Sequence, residues 1–369
     1  MRVGFLTPDL SPSYGWASYA LDLARALSEQ GVAIVALTQP GGLLPADCGW
    51  LAGIAPVLPA LVPAPRGFLF RSLLAIPRAR RAAADCDLLH VIAEPYAPLG
   101  AWIAGRRPLV ATAHGTYVPQ TVRRRLAGRL YRAAYRRAHL IAVSRYTAAQ
   151  VRAALPESDP VVIHNGVTFA RFQTPVPAPD TRGPTVLASG GVKRRKGTHL
   201  LVAALARLRE QTPNVQLVVT GRQDDPAYLA DVQAQIAALG LEDCVHLVGQ
   251  ISDDALLGWY QAADVFALPS LSVGERFEGF GLVFLEASAS GLPVIGTTGS
   301  GVEEAIIAGE TGLLVPQDDP EALAAAIAQL LRDEALRARM GAAGRAYAQT
   351  QDWSAVAARV RDVYAGVLA

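Results

Sequence analysis

The sequence predicts an α/β protein built from two doubly wound parallel-sheet domains that face a cleft. Three observations carry this expectation. Short apolar runs alternate with helix-period segments along nearly the whole chain, as they do where parallel strands are joined by crossover helices. A proline-rich break at 174–184 divides that series in two. A length of 369 residues also exceeds what one core ordinarily organises.

Taken in order, residues 3–7 read as the first strand. Residues 17–30 read as a helix with Ala20, Leu23, Ala24 and Leu27 on one face. Further strands are expected at 32–37, 88–92, 109–113, 140–143 and 161–163. After the break they resume at 185–188, 215–220, 244–247, 265–268, 293–296 and 312–315. Each is a continuous apolar run, which a strand covered on both faces requires. The expected division is a first domain at 1–173, a linker at 174–184 and a second domain at 185–352.

Composition narrows the class. Hydrophobic residues make up 51 % and charged residues 18 %, so the chain can fill globular cores and is too apolar for disorder. Cys48, Cys86 and Cys244 are scattered and odd in number, which argues against a disulfide framework or metal cluster and for a reducing compartment. The six histidines show no ligand spacing, so no metal is expected. Residues 2–7 are too short for a signal h-region and stop at Pro8-Asp9. The longest apolar stretch, 51–65, contains Pro56, Pro59, Pro63 and Pro65, and no spanning helix survives that density of missing amides. A cytoplasmic protein is expected.

The net charge of +2 conceals a division. Residues 1–175 hold 19 Arg, no Lys and 9 acids, a balance of +10; residues 176–369 hold 15 basic and 23 acidic residues, a balance of −8. Two domains with different partners would produce this, as would an accident of surface charge. Nucleic acid fits poorly, because the Arg-rich segments lack interleaved stacking aromatics.

Open α/β sheets bind ligands beyond the carboxyl ends of their strands, and three loops there stand out. The first, 189–197 (SGGVKRRKG), joins a strand to a helix and contains Lys193 and Lys196, the only lysines in the chain. Its glycines permit close backbone approach and its cations suit a phosphate; a solvated basic turn is the plainer alternative. It lacks the ending of a P-loop and the third glycine of a dinucleotide fingerprint. The second, 275–286 (ERFEGFGLVFLE), places Glu278 just before a helix expected to begin near Phe280-Gly281, with Glu286 inside it. Free helix amides suit a diphosphate, and carboxylates suit neutral hydroxyls; a capping Glu and a surface Glu are the alternative. Glu286 stands among Val283, Phe284, Leu285 and Ala287, where an unpaired charge is costly. The third loop, His114-Gly115 after the strand at 109–113, is a weak signal alone.

Together these residues resemble a family. Glu278-Gly-Phe-Gly-Leu-Val-Phe-Leu-Glu286, continuing through Gly291-Leu-Pro-Val-Ile295, is similar to the E-x7-E signature of the family-four retaining GT-B glycosyltransferases. Thr112-Ala-His-Gly115, His164-Asn-Gly-Val167, the loop at 187–197 and Leu247-Val-Gly-Gln-Ile251 resemble its other segments in the same order. The resemblance implies a GT-B fold of two Rossmann-like domains, with an acceptor-side first domain completed by a C-terminal helix at 353–369 and a nucleotide-sugar-binding second domain. It implies that Glu286 binds ribose hydroxyls, and that Glu278 and the amides of Phe280, Gly281 and Leu282 hold the donor sugar and diphosphate. Lys196 with Arg195, near Gly191, would neutralise the diphosphate, although Arg194 or Lys193 could stand in for Arg195. Gly249 and Ile251 would meet the base, Gly15 the phosphates and His114 the donor sugar. The family's usual Gly-Arg is here Gly190-Gly191, and its Gly-Gly is Tyr14-Gly15.

The implied reaction moves a hexose from a UDP-, GDP- or ADP-sugar, with retention and without a metal or other cofactor. Fixed cations and a helix dipole would stabilise the leaving diphosphate. A lipid, glycan or small molecule is the implied class of acceptor. Segments 66–81 and 121–138 are Arg-rich with apolar stripes, the second read as one helix with Arg125, Arg129, Arg132 and Arg136 along a stripe, and they suit either the anionic inner face of the cell membrane or a core-packed helix with a solvated face. A sugar-nucleotide epimerase, a phosphorylase and a non-catalytic sugar-nucleotide-binding protein remain as alternatives.

Overall fold

The computed structural model describes residues 1–12, 14–61 and 67–369; Pro63, Pro65 and Arg66, used above, lie outside them. Contacts divide the chain into two compact units, Met1–Asn165 with Trp353–Ala369, and Gly166–Asp352. The charge division follows these units, at +10 for the first and −8 for the second.

The first unit holds seven parallel strands: β1 (Arg2–Leu6), β2 (Ala33–Leu37), β3 (Gly53–Ala55), β4 (Leu88–Val91), β5 (Leu109–Ala113), β6 (His139–Ala142) and β7 (Val161–Val162). Their order is β3-β2-β1-β4-β5-β6-β7. β1 pairs with β2 on one side and β4 on the other, so the chain reverses its direction of travel there. Loops leaving β1 and β4 therefore diverge and open a crevice at the strand ends. The helix Gly15–Glu29 buries Ala20, Leu23, Ala24 and Leu27, the face read from the sequence. The last helix, Trp353–Leu368, packs on it. That helix buries Trp353 and Tyr364, and the Tyr364 hydroxyl meets His90 Nδ1 at 2.6 Å.

Two expectations need correction here. β3 was not anticipated: it is three residues long with Ile54 half out in solvent, too short to leave a pattern. The helix expected over 121–138 is two helices, Tyr117–Val122 and Gly128–Arg137. A Cβ at Gly128 would stand 2.4 Å from the Val122 carbonyl oxygen, so the glycine allows a turn where propensity alone favours continuation. Arg125 consequently lies in the bend, apart from the helical Arg129, Arg132 and Arg136.

The second unit holds β8 (Thr185–Ser189), β9 (Gln216–Thr220), β10 (Val245–Gly249), β11 (Val265–Ala267), β12 (Val294–Thr297) and β13 (Gly312–Val315), all parallel, in the order β10-β9-β8-β11-β12-β13. The reversal falls between β8 and β11, so the loops after those two strands occupy the crevice. Its core runs from Val186, Leu217 and Val219 to Leu323, Ile327 and Leu330.

Candidate functional site

In the second unit the loop after β8 is shaped by glycines. Gly190 and Gly191 have φ of +126° and +84°, a region that side chains disfavour. A Cβ on Gly191 would lie 2.9 Å from the Arg222 carbonyl oxygen, and one on Gly221 only 2.4 Å from the Gly191 nitrogen. The ends of β8 and β9 thus press backbone on backbone. A single 3₁₀ turn, Arg194–Lys196, follows. Gly197 then starts the helix Thr198–Arg209 in a left-handed conformation, and a Cβ there would lie only 2.1 Å from the Pro269 carbonyl oxygen. The Leu271 amide donates to the Arg195 carbonyl at 2.7 Å, tying this turn to the loop after β11.

The turn aims two cations at one carboxylate. Lys196 Nζ and Arg195 Nη1 each donate to Glu278 Oε2 at 2.7 Å, and the Lys196 and Glu278 side chains are only 11 % and 14 % exposed. Burial would raise the Glu278 carboxyl, but the Lys196 and Arg195 cations outweigh it and bring the pKa down to about 2. Lys196 is pulled below the ordinary lysine range by burial, with Glu278 opposing. Arg194 turns elsewhere, pairing with Asp231 at 3.2 Å and lying over the Tyr228 ring. Lys193 stands 4.0 Å from Asp224.

Phe280 is buried and Gly281, at φ +91°, caps the helix Leu282–Ala289. Glu286 lies one turn into that helix, and its Oε2 accepts the Tyr260 hydroxyl at 2.9 Å. Burial raises its carboxyl above the usual range, with the Tyr260 hydrogen bond pulling back. Gly249 ends β10 at a register irregularity, with φ +71°, and Ile251 follows half-buried. The structure therefore brings Arg195, Lys196 and Glu278 into direct contact, and gives Glu286 a different hydrogen-bond partner.

In the first unit Gly15 opens its helix, exposed, with nothing within 4 Å of a built Cβ. His114 follows β5. Its Nε2 lies 3.0 Å from the Ile92 carbonyl oxygen, so that nitrogen carries the proton and Nδ1 keeps a lone pair. Burial lowers its pKa to about 4, leaving the ring neutral at pH 7. The His114 ring meets Tyr19 edge-on at 4.6 Å. Asp9, buried after β1, accepts the hydroxyls of Ser11 and Tyr14 at 2.9 and 2.6 Å.

Sequence reasoning missed Glu94, fully buried and separated from β4 by Ile92 and Ala93. Its Oε2 accepts Trp16 Nε1 at 2.6 Å and its Oε1 accepts the His114 amide at 2.7 Å. It also missed Tyr260. A charged residue shortly after a strand at the reversal point was the one available sign of Glu94. Tyr260 gave no such sign. Among the described residues no group of three His, Cys, Asp or Glu is placed to hold a metal ion.

Comparison with known proteins agrees with this architecture. Residues 170–347 match the family model for glycosyl transferases group 1, and residues 14–171 that for glycosyltransferase family 4. A phosphatidyl-myo-inositol mannosyltransferase of Mycobacterium leprae is 32 % identical over 382 residues, covering 99 % of this chain and 96 % of the relative. A GDP-mannose-dependent alpha-(1-6)-phosphatidylinositol monomannoside mannosyltransferase of Mycolicibacterium smegmatis is 32 % identical over 309 residues, covering 78 % and 79 %. Among solved structures, sucrose-phosphate synthase from Thermosynechococcus elongatus aligns with a TM-score of 0.78 at 26 % identity, over 99 % of this chain and 98 % of that one. The Anabaena protein HepE, in complex with UDP and glucose, gives 0.79 at 21 % identity, over 99 % and 100 %.

Fold and comparisons together define a GT-B glycosyltransferase. The chain belongs to glycosyltransferase family 4.

Proposed function

We propose that this enzyme is a retaining hexosyltransferase that takes mannose from GDP-mannose and places it on a hydroxyl of a phosphatidylinositol-type lipid. The observation that carries the reading is the convergence of Lys196 and Arg195 on Glu278 within a glycine-shaped loop. In this reading the two cations and the amides of Phe280, Gly281 and Leu282 hold the diphosphate, with Gly191 and Gly15 allowing close approach. Glu278 accepts donor-sugar hydroxyls, Glu286 the ribose hydroxyls, and the backbone at Gly249 and Ile251 meets the base. His114 offers its Nδ1 lone pair to a substrate hydroxyl. The bond from the anomeric carbon to the phosphate oxygen breaks, and a bond to the acceptor oxygen forms on the same face. The acceptor proton passes to the departing phosphate. Lys196 and Arg195 neutralise the charge that accumulates there, so no metal is required.

A thermal-shift panel of GDP, UDP, ADP and their sugar conjugates with EDTA present, on wild type and Glu286→Ala, tests the donor assignment. A ligand at about 100 times its dissociation constant stabilises by roughly 2.7 kcal/mol. A GDP-specific shift lost in the variant supports the reading, and no shift with any nucleotide removes it. Inversion at the anomeric carbon of the product would end the retaining mechanism.

The names of the mannosyltransferase relatives support the lipid acceptor, and so does the surface of the first unit. On the helix Phe68–Ala82, Phe70, Leu73 and Leu74 are exposed beside Arg71, Arg78 and Arg81. In the bend at 123–127, Leu126 is 95 % exposed among Arg123, Arg124 and Arg125. No helix of the described residues is long and apolar enough to cross a membrane. This surface suits peripheral docking on the anionic inner leaflet, apolar side chains entering and guanidinium groups meeting headgroups. Phe70→Asp with Leu74→Asp should abolish co-sedimentation with phosphatidylinositol-containing vesicles without lowering Tm; failure of the wild type to bind such vesicles removes the docking proposal.

A further inference from the structure

Resting on the reading that His114 meets substrate, we infer that Glu94 is a positioning residue for sugar transfer, a carboxylate that sets the pose of His114 and Trp16 together. Glu94 begins the 3₁₀ turn Glu94–Tyr96, separated from β4 only by Ile92 and Ala93. Trp16 is the second residue of the helix following β1, and His114 is the first residue after β5. One side chain therefore ties together the carboxyl ends of three neighbouring strands. Its backbone oxygen also accepts the Tyr135 hydroxyl at 3.1 Å.

The chemistry of the partners explains why a carboxylate is needed. Indole Nε1 and a backbone amide only donate, so both oxygens must accept at once. Glutamine cannot do this, since its amide nitrogen would face one of the two donors. A protonated carboxyl likewise turns one oxygen into a donor. Neither partner is cationic, and burying an anion without a countercharge is expensive. For the fold alone, an apolar contact would serve better. Here the carboxylate holds His114, the group read as meeting substrate, together with the Trp16 indole, whose ring lies 4.5 Å from the Tyr117 ring, itself 40 % exposed.

Ionisation of Glu94 therefore controls this pose. Burial raises its carboxyl to about 7, against hydrogen bonds from the His114 amide, its own amide and Trp16. Of the ionisable groups around it, His114 at the end of β5 gives Glu94 its backbone amide, Tyr135 on Gly128–Arg137 donates to its carbonyl, Tyr131 donates to the neighbouring Pro95 carbonyl, and Tyr117 on Tyr117–Val122 packs on Trp16. Burial holds His114 near 4 and pushes Tyr131 and Tyr135 upward, so none of His114, Tyr131 and Tyr135 titrates where Glu94 does. The competent form is the anion, so turnover falls as pH drops through about 7.

The test measures kcat and KM from pH 5 to 9 on the full chain, with GDP-mannose and phosphatidylinositol vesicles, for wild type, Glu94→Gln and Trp16→Phe. Glu94→Gln should lower kcat by roughly ten- to a hundred-fold at pH 8, leave the GDP thermal shift unchanged, and lose the acid limb. Trp16→Phe removes a hydrogen bond that favours the anion, so its limb should move to higher pH. Should Glu94→Gln fail to fold, the displaced limb in Trp16→Phe decides the matter. Indole fluorescence, taken as wild type minus Trp16→Phe, should titrate near pH 7 without any substrate. A limb unmoved in both variants, or a fluorescence titration that persists in Glu94→Gln, overturns the inference. A wild type that transfers no mannose defeats the substrate reading instead, while the fluorescence still decides the clasp.

Discussion

Replacing Glu278 by glutamine keeps the shape of the side chain and removes the charge that Lys196 and Arg195 share. The carboxyl lies at about 2 against an ordinary 4.5, a gap equivalent to about 3 kcal/mol. The Glu278 and Lys196 side chains are almost enclosed, so solvent screens little of that energy. Arg195, 29 % exposed, can recover some of its hydration by swinging outward. The expected loss is about 2–3 kcal/mol at pH 7, or roughly 4–12 °C in Tm for a unit of this size. Because the folded pKa is depressed, the stabilisation is complete above about pH 5 and fades as pH falls toward 2. Chemical unfolding of both proteins at several pH values gives the comparison directly. Equal stability at pH 7, or a difference that stays constant down to pH 2.5, would refute the ion-pair account.

Two other substitutions probe the same unit. Gly197→Ala places a methyl group 2.1 Å from the Pro269 carbonyl oxygen at a φ of +71°; it should cost more than about 2 kcal/mol in unfolding measurements and weaken nucleotide binding by displacing the Arg194–Lys196 turn. Tyr260→Phe deletes the donor to Glu286, costing about 1 kcal/mol. Glu286 is already raised by burial and loses a hydrogen bond that favours its anion. Nucleotide affinity measured from pH 5 to 8 should accordingly begin to fall at a higher pH than in wild type.

Much of the sheet architecture was legible because a parallel strand buried on both faces writes itself as an unbroken apolar run. β4 and β5 are buried along their whole length and were plain in the sequence. β3 was not, because three residues on a sheet edge carry no periodicity. The break at 123–127 escaped notice because its cause is a non-local contact, the Gly128 position against the Val122 carbonyl, amid residues that propensity would leave helical. The site divides in the same way. Lysines confined to one loop marked Lys196 and Lys193 in advance, and the spacing marked Glu278 and Glu286. The pairing of Lys196 with Glu278 spans 82 residues and is invisible to local pattern. Glu94 is set by its distance from Trp16 and His114, 78 and 20 residues away. Its local sequence therefore carries no mark of those contacts.

The hydrogen bond between His90 and Tyr364 joins positions 274 residues apart. During synthesis His90 emerges before the second unit, while the helix that supplies Tyr364 follows all of Gly166–Asp352. Until then the groove on the helix Gly15–Glu29 has no occupant, and a buried imidazole lacks one of its two partners. The second unit, continuous in sequence, can complete its core on the ribosome while the first waits for the helix Trp353–Leu368 to emerge. The order of maturation thus runs against the order of translation, and a chain cut short in its last helix leaves the earlier-made unit unfinished.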